Sequence, residues 1–490
     1  MPPRFKELYK HVPSAREVRQ RRLLQDAQLR RLHREQAFMG KRVRYRTTPQ
    51  ESETETEYEF TQTDTEKLAE GLGSADHEQR MEALGTLSSK LEQPSEELRR
   101  FIVDGRCMEL LTAVISGTDS DETVQGLWCV TNVAANESSQ VAGRALDTAP
   151  YVVPLLTSSN VEIRNQAAWA LGNMAAEGEG ARNQLQANGA LDALVHLADC
   201  ETDSEVQQTA WFAVSNMART PSAYFDSLFD KMKLPQLVAR QAEALAEDST
   251  GCLAELAWVS AYLTAAGSTD KIDQFLEAGA ADAFLKRTAA AADVALLIPV
   301  IRTLGNIAAG TDTQTHQLVG KPGFLDLVAR CIGASAGSRA VEKEALWVLS
   351  NVTAGSKDDV DAVMGHAHTV ESLVRIVETQ TFDIKKEAAF SLLNIALVGE
   401  RVGDLPNERL VSEFVDFVRS QDEQLVRLGV QFIAVLFAQL PGRQGPDLLR
   451  GVEGGIDALE NLVAVTNSDE TRSAASALID SYYGDDADAE

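Results

Sequence analysis

The sequence predicts an all-α protein built from helical repeats, and three observations lead to this prediction. From about residue 67 the chain is rich in Ala and Leu with helical periodicity, and Gly, Asn, Asp and Ser interrupt it at loop positions. An aromatic residue followed four positions later by Asn recurs about every 40 to 46 residues. At 490 residues the chain exceeds the size at which a single core keeps growing, which favours a repeat array.

The first element, residues 1–46, is a basic arm that is predicted to contain one helix. It holds 14 Lys or Arg and 4 Asp or Glu, and subtraction from the totals of 46 and 73 leaves 32 against 69 for the rest of the chain. Ser14 and Glu17 form a capping-box pattern, and the helix is expected to run to about residue 38. Because the predicted helix is rich in Arg and its apolar residues form no broad stripe for burial, the arm should bind by charge; an unspecific basic tail and a nucleic-acid arm remain alternatives.

Three further elements follow the arm. Residues 47–66 are polar and acidic with nothing to pack, so we expect a flexible linker. Residues 67–483 are predicted to form the repeat array, and residues 484–490 an acidic tail.

Cysteine spacing and hydropathy indicate in which cellular compartment the protein is expected. Five cysteines stand apart, without a pair at metal-ligand or redox spacing, so we expect a reduced, intracellular protein without cofactors. The start of the chain has no apolar signal segment, and the longest apolar run, residues 294–301, is far shorter than the roughly 18 residues that span a bilayer. Secretion and membrane insertion are therefore not expected.

The recurring aromatic and Asn residues are the candidate functional residues. Positions i and i+4 share one face of a helix, so each pair sets a flat ring beside an amide. The amide can bond a peptide backbone and the ring can hold a side-chain stem, whereas a ring in the core would give no reason for the amide. The pairs are Trp128/Asn132, Trp169/Asn173, Phe212/Asn216, Trp347/Asn351 and Phe390/Asn394, with Trp258/Tyr262 and Arg302/Asn306 as variants.

Helical repeats of about 40 to 47 residues are typical of the armadillo and HEAT classes, in which each unit buries its apolar face against its neighbours. The small residues between each aromatic and its Asn are expected to face the adjacent helices. Gly-bearing turns such as residues 187–190 and 277–280 are expected to separate one helix from the next.

With the repeats and the arm both in view, the chain resembles the importin α family, adapters that carry basic nuclear localisation signals. Residues 302–307 and 310–315 look like the family's sixth repeat, where Arg replaces Trp, and residues 258–262 look like its fifth, where Tyr replaces Asn. Residues 15–35 resemble the importin-β-binding domain, and residues 454–486 resemble the closing repeat and acidic end. The resemblance implies a right-handed armadillo-repeat solenoid of about nine or ten repeats.

The resemblance also implies two cargo sites, an importin-β site and a self-inhibitory segment. The major cargo site would comprise Trp128, Asn132, Trp169, Asn173, Glu177, Phe212, Asn216, Arg219 and Glu255. The minor site would comprise Arg302, Asn306, Glu344, Trp347, Asn351, Glu387, Phe390 and Asn394. Importin β would bind Arg16, Arg19, Arg21, Arg22, Arg30, Arg31 and Arg34, and the segment that occupies the protein's own groove would include Lys41, Arg42 and Arg44.

The chain departs from the family around one lysine pocket of the major site. Asn136 and Val141 stand where the family has Gly and Thr, and Glu177 replaces an Asp. Longer side chains and a lost hydroxyl would reshape this pocket.

The predicted function is nuclear import: the adapter binds cargo in an acidic groove, binds importin β through its arm, shuttles between cytoplasm and nucleus, and is recycled by an export receptor. The alternative is a divergent armadillo scaffold dedicated to few partners. An enzyme is not expected, because the histidines are scattered and the close pair His366 and His368 lies in a predicted loop with no carboxylate or Cys set beside it. Direct nucleic-acid binding is not expected of the acidic body.

Overall fold

The computed structural model describes residues 60–92, 94–219, 230, 232–266, 268–333, 337–398 and 401–483. The predicted arm, nearly all of the linker and the acidic tail lie outside these ranges. In the described residues every regular element is helical, which confirms the predicted all-α class. No helix among them is long and apolar enough to cross a membrane.

The chain divides into two compact units, which we call the first unit (described residues 60–266) and the second unit (described residues 268–483). The helices of the first unit are α1 (Gln62–Leu72), α2 (His77–Lys90), α3 (Glu96–Val103), α4 (Cys107–Ile115), α5 (Ser120–Ala134), α6 (Ser139–Arg144), α7 (Ala149–Leu155), α8 (Val161–Ala176), α9 (Glu179–Ala187), α10 (Ala190–Cys200), α11 (Ser204–Met217), α12 (Leu234–Ala244) and α13 (Thr250–Ala266), with a 3₁₀ turn at Ala145–Thr148.

The second unit repeats the same alternation of short and long helices. Its helices are α14 (Thr269–Glu277), α15 (Ala280–Thr288), α16 (Val294–Ala308), α17 (Asp312–Val319), α18 (Phe324–Ile332), α19 (Arg339–Thr353), α20 (Lys357–Gly365), α21 (Thr369–Thr379), α22 (Phe382–Leu397), α23 (Asn407–Val418), α24 (Glu423–Gln439), α25 (Gln444–Gly451), α26 (Gly455–Val465) and α27 (Asp469–Tyr482), with a 3₁₀ turn at Arg401–Asp404.

One long helix recurs per repeat, and consecutive long helices pack against each other within each unit. They are α2, α5, α8, α11 and α13 in the first unit, and α16, α19, α22, α24 and α27 in the second. Their starts are specified locally, since cap residues such as Asp119, Asn160, Asp203 and Asp422 accept hydrogen bonds from the first backbone amides. The described residues therefore hold ten such repeats, at the upper end of the predicted number.

Gly-bearing turns join the first and second helix of several repeats, as the sequence predicts. Gly189, Gly279 and Gly323 precede α10, α15 and α18 with φ of 75°, 77° and 82°, a region that favours glycine. His368 takes the same place before α21 with φ of 63°.

The linker ends earlier than predicted, because α1 begins at Gln62 rather than after residue 66. Thr61 and Asp64 form a capping box: the Thr61 N–H donates to Asp64 Oδ2 at 2.9 Å, and the Thr61 hydroxyl donates to the same oxygen at 2.7 Å. The cap lies within a run of Thr and acidic residues, and the composition of this run predicts a linker rather than a helix start.

Two buried glutamates on long helices have opposite environments. Glu122, 5% exposed, accepts two hydrogen bonds from Arg80 at 2.6 and 2.9 Å, and His77 Nδ1 lies 2.7 Å from its Oε1. Arg80 lowers the pKa of Glu122 against the opposing effect of burial, and His77 adds to the lowering. Burial raises the pKa of Glu342, which is 8% exposed, against the smaller opposing charges of Arg375 and Arg339.

Replacing each glutamate with Gln is expected to have opposite effects on the free energy of unfolding near pH 7. Glu122→Gln should lower it by about 1 to 3 kcal/mol, because Arg80 and His77 lose a charged acceptor. Glu342→Gln should raise it by up to about 1 kcal/mol, because a buried charge is removed. Denaturant unfolding measures both values, and changes of the same sign would contradict this account.

The pH dependence of stability should change with the same two substitutions. Because the folded pKa of Glu342 is raised, its protonation stabilises the fold as the pH falls from the folded value toward the unfolded value of about 4.3. Because the folded pKa of Glu122 is lowered, its contribution is present above about 4.3 and is lost as the pH falls through the folded value. Melting temperatures of the two variants should therefore lie on opposite sides of the wild-type value near pH 7, and both should approach it as the pH falls through the acidic range.

Candidate functional site

The aromatic and Asn pairs all lie on long helices, in two sets that we describe separately. The first ladder belongs to the first unit and consists of Trp128/Asn132 on α5, Trp169/Asn173 on α8, Phe212/Asn216 on α11 and Trp258/Tyr262 on α13. The second ladder belongs to the second unit and consists of Arg302/Asn306 on α16, Trp347/Asn351 on α19 and Phe390/Asn394 on α22.

Ladder asparagines bond the backbone of the preceding long helix. Asn173 Nδ2 donates to the Thr131 carbonyl at 3.2 Å, and Asn216 Nδ2 donates to the Gly172 carbonyl at 3.0 Å. Asn394 Nδ2 repeats this contact in the second ladder, donating to Ser350 O at 3.0 Å. In each case the acceptor is the residue immediately before the preceding ladder Asn.

This contact corrects the expectation that a core position gives no reason for the amide. The asparagines at positions 132, 173, 216, 351 and 394 are at most 4% exposed, so their amides need partners inside the fold. A side-chain N–H bond to the neighbouring helix supplies one. The three residues that accept these bonds, Thr131, Gly172 and Ser350, are small, and this is the signal in the sequence that accompanies the bond.

Two asparagine side-chain atoms of the second ladder lack a hydrogen-bond partner among the described residues. Within the described residues, Asn351 Nδ2 and Asn394 Oδ1 are buried without a hydrogen-bond partner. One is a donor and the other an acceptor, and each lies on a ladder position.

Two ladder rings, Phe212 and Trp347, pack over a glycine of the preceding long helix. A Cβ atom added to Gly172 would lie 2.6 Å from Phe212 Cε1, and one added to Gly305 would collide with the Trp347 ring. The small residues therefore face the adjacent helix, as the sequence predicts, and they set how closely successive ladder helices approach.

The rings differ in how much surface they present. Trp128, Trp169 and Phe390 are half-buried, whereas Phe212 and Trp347 are 3% and 8% exposed. Trp258 stacks on Tyr262 of the same helix, with ring centroids 5.8 Å apart and planes 27° apart.

The carboxylates assigned to the first ladder occupy two different environments. Glu177 follows the last residue of α8 and is half-buried, with its N–H donating to Met174 O. Glu255 on α13 is 6% exposed, and its Oε2 accepts from the Ser215 hydroxyl at 3.4 Å. Arg219 lies just beyond α11 and is half-buried.

Asn136 and Val141, the two residues expected to alter the lysine pocket, have different placements. Val141 lies on α6 and is 1% exposed, so its side chain belongs to the core. Asn136 is half-buried in the turn before α6, where its Oδ1 accepts from the Ser138 N–H at 2.9 Å.

The second ladder contains an ion pair that the sequence did not reveal. Arg302 Nη2 donates to Glu344 Oε1 at 2.7 Å, and both side chains are 22% exposed. The pair joins α16 to α19 across 42 residues, about one repeat length, and that separation is the clue in the sequence. Glu387, on α22, is half-buried.

The histidine pair lies between α20 and α21, as expected of a loop, but a carboxylate does lie beside it. His366 Nε2 is 3.1 Å from Asp326 Oδ1, and its Nδ1 is 2.9 Å from the Thr369 hydroxyl. The expectation that no carboxylate accompanies the pair was therefore wrong: Asp326 comes from the preceding repeat.

Comparison with protein families and curated relatives identifies two matching family models and several related proteins. A family model described as importin beta binding domain matches residues 4–85, and one described as a HEAT-like repeat matches residues 124–174. Importin subunit alpha-9 of Arabidopsis thaliana is 30% identical over 420 residues, which cover 82% of this chain and 79% of the relative. Importin subunit alpha-2 of Oryza sativa subsp. japonica is 29% identical over 435 residues, covering 84% and 80%.

A solved structure shows the same architecture. An engineered protein, 25% identical, aligns with a TM-score of 0.70 and covers 84% of this chain and 97% of its own. With the ten long helices and the relatives above, this confirms the predicted armadillo-repeat fold class.

Alanine at the ladder glycines should destabilise the protein, because a methyl group has no room beneath the ring. Gly172→Ala and Gly305→Ala are each expected to cost about 1 to 3 kcal/mol. Gly143 on α6 has no atom within 4 Å of an added Cβ, so Gly143→Ala is the matched control and should be neutral or slightly stabilising. Thermal melts compare the three, and equal effects would rule out close packing as the reason for glycine.

Proposed function

The chain belongs to the importin α family, and from this premise we propose that it is a nuclear import adapter that binds basic nuclear localisation signals along its two ladders. The observation that carries the proposal is the recurrence of ring, buried amide and nearby carboxylate on successive long helices. The first ladder would be the major cargo site and the second ladder the minor site.

An extended basic peptide suits what the ladders offer. Its backbone carries both N–H and C=O groups, the types of partner that Asn394 Oδ1 and Asn351 Nδ2 lack within the described residues. Stems of Lys and Arg would pack on Trp128, Trp169 and Phe390, with a cation–π attraction of about 0.5 to 2 kcal/mol. Glu177, Glu344 and Glu387 would receive the charged ends.

The basic arm would link cargo to importin β. The match of the importin beta binding model to residues 4–85 supports this role and includes Arg16, Arg19 and Arg34. Lys41, Arg42 and Arg44 would occupy the protein's own cargo site when importin β is absent, so that importin β and cargo favour each other's binding. The adapter would then shuttle between cytoplasm and nucleus, with an export receptor returning it.

A dedicated armadillo scaffold is the second candidate, favoured by Asn136 and Val141 beside the first ladder. It would share the ladders but would not need an arm that binds importin β. Capture of purified importin β by residues 1–46 separates the two functions, since only the adapter requires it.

Removing residues 1–46 should raise the affinity for a basic signal peptide by about tenfold or more, because a tethered competitor acts at millimolar effective concentration. Fluorescence anisotropy with a labelled peptide measures this change. A deletion of residues 484–490 is the control and should leave the affinity unchanged. Equal affinity of the full chain and the arm deletion would exclude self-competition.

Replacing one ladder tryptophan at a time with Ala should show which ladder each peptide binds. In the arm deletion, Trp169→Ala should weaken peptides that use the first ladder, and Trp347→Ala those that use the second, each by about five- to thirtyfold. Tyr151 on α7 is an exposed aromatic residue that belongs to neither ladder, so Tyr151→Ala controls for surface change. Anisotropy titrations that show no loss in either ladder variant would exclude the ladders as the binding surface.

A further inference from the structure

In the second ladder, one oxygen of the Glu344 carboxylate already accepts a hydrogen bond from Arg302 of the same protein. In the pair Arg302/Asn306 on α16, Arg302 takes the place that an aromatic ring has in the other pairs of the ladder. Glu344 lies one turn before Trp347 on the next long helix, α19. Their contact of 2.7 Å involves only one carboxylate oxygen, Glu344 Oε1. Among the described residues, Glu344 Oε2 has no hydrogen-bond partner.

A carboxylate with one oxygen in use discriminates between Lys and Arg. The guanidinium of Arg binds best when its two parallel N–H groups meet both oxygens of a carboxylate. An ammonium is a point charge and needs only one acceptor. Because Arg302 donates to Oε1, a peptide Lys can bind Oε2 alone. A peptide Arg that uses both oxygens would have to compete with Arg302 for Oε1.

The next carboxylate of the ladder provides an internal contrast. Glu387 lies one turn before Phe390, the same offset as Glu344 from Trp347. On the long helix before α22, the first residue of the ladder pair is Trp347, which is uncharged. The ring position on the preceding long helix is therefore a cation, Arg302, in the case of Glu344 and an uncharged side chain, Trp347, in the case of Glu387.

We propose that the Arg302–Glu344 pair is a specificity determinant that makes one position of the bound peptide prefer Lys over Arg. The proposal rests on the function proposed above, since it concerns which basic peptides the second ladder takes. Arg302 acts here as a positioning residue: it sets what Glu344 can accept.

The test is a set of peptides in which each Lys of a basic signal is replaced singly by Arg, titrated by anisotropy onto the full-length chain carrying Trp169→Ala. This background directs binding to the second ladder, and the self-competing arm lowers all affinities alike, so the ratio of Lys to Arg affinities is retained. We expect one position to favour Lys by about three- to tenfold.

Arg302→Met should reduce that preference to about one, because it retains the aliphatic stem but frees the carboxylate oxygen. Glu344→Gln should abolish the preference by a separate route, and Glu387→Gln should leave it in place. If Arg302→Met fails to fold, as judged by its thermal melt, the two glutamate variants still decide the question.

The possible results distinguish this inference from the proposed function. A Lys preference that persists in both Arg302→Met and Glu344→Gln, or that is absent from the wild type, would overturn the inference and leave the import function standing. If neither the Trp169→Ala chain nor the unmodified chain binds a basic peptide, even with importin β bound to the arm, the proposed function fails and the inference fails with it.

Discussion

The hydrogen bond from a ladder Asn to the preceding long helix is the contact on which the rest of the structure depends. It occurs at Asn173, Asn216 and Asn394 with the same acceptor position each time. Since the amides are buried, losing such a bond leaves a polar group unsatisfied, which costs about 1 to 3 kcal/mol. The bond therefore fixes how successive long helices lie within each unit, and with them the surface that the rings present.

The ladder positions that pack successive helices are also those proposed to bind cargo, so binding and stability would be linked. Phe212 and Trp347 rest on Gly172 and Gly305, so a change that opens the ring surface also disturbs the contact between helices. A ladder of this kind holds its rings in place before a peptide arrives, and the entropy lost on binding is correspondingly small. If the ladders bind cargo as proposed, their surface would be formed before the peptide arrives.

Sequence reasoning succeeded where the signal was local and repeated. Helical periodicity, Gly turns such as Gly189 and Gly279, and the ladder spacing all describe elements that a few neighbouring residues specify. It failed at α1, because the capping box of Thr61 and Asp64 lies in a segment whose composition predicts disorder.

Sequence reasoning also failed to predict the contacts between neighbouring repeats. Arg302–Glu344 and Asp326–His366 join residues 42 and 40 positions apart, and no local pattern marks them. In an array of regular repeats, however, contacts between neighbouring helices fall near one repeat length, so opposite charges at that separation are worth testing in the sequence.

The two unsatisfied amide atoms show how such a fold can tolerate a binding site. Asn351 Nδ2 and Asn394 Oδ1 are buried without partners in the described residues, a state that weakens the free protein. Interactions that are missing in the free fold and made with a ligand add directly to affinity, since no internal bond has to break first. A second ladder whose amides were all satisfied by neighbouring helices would be more stable and would hold an extended peptide less tightly. The imperfect pairing at Asn351 and Asn394 is therefore consistent with a surface selected for binding as well as for packing.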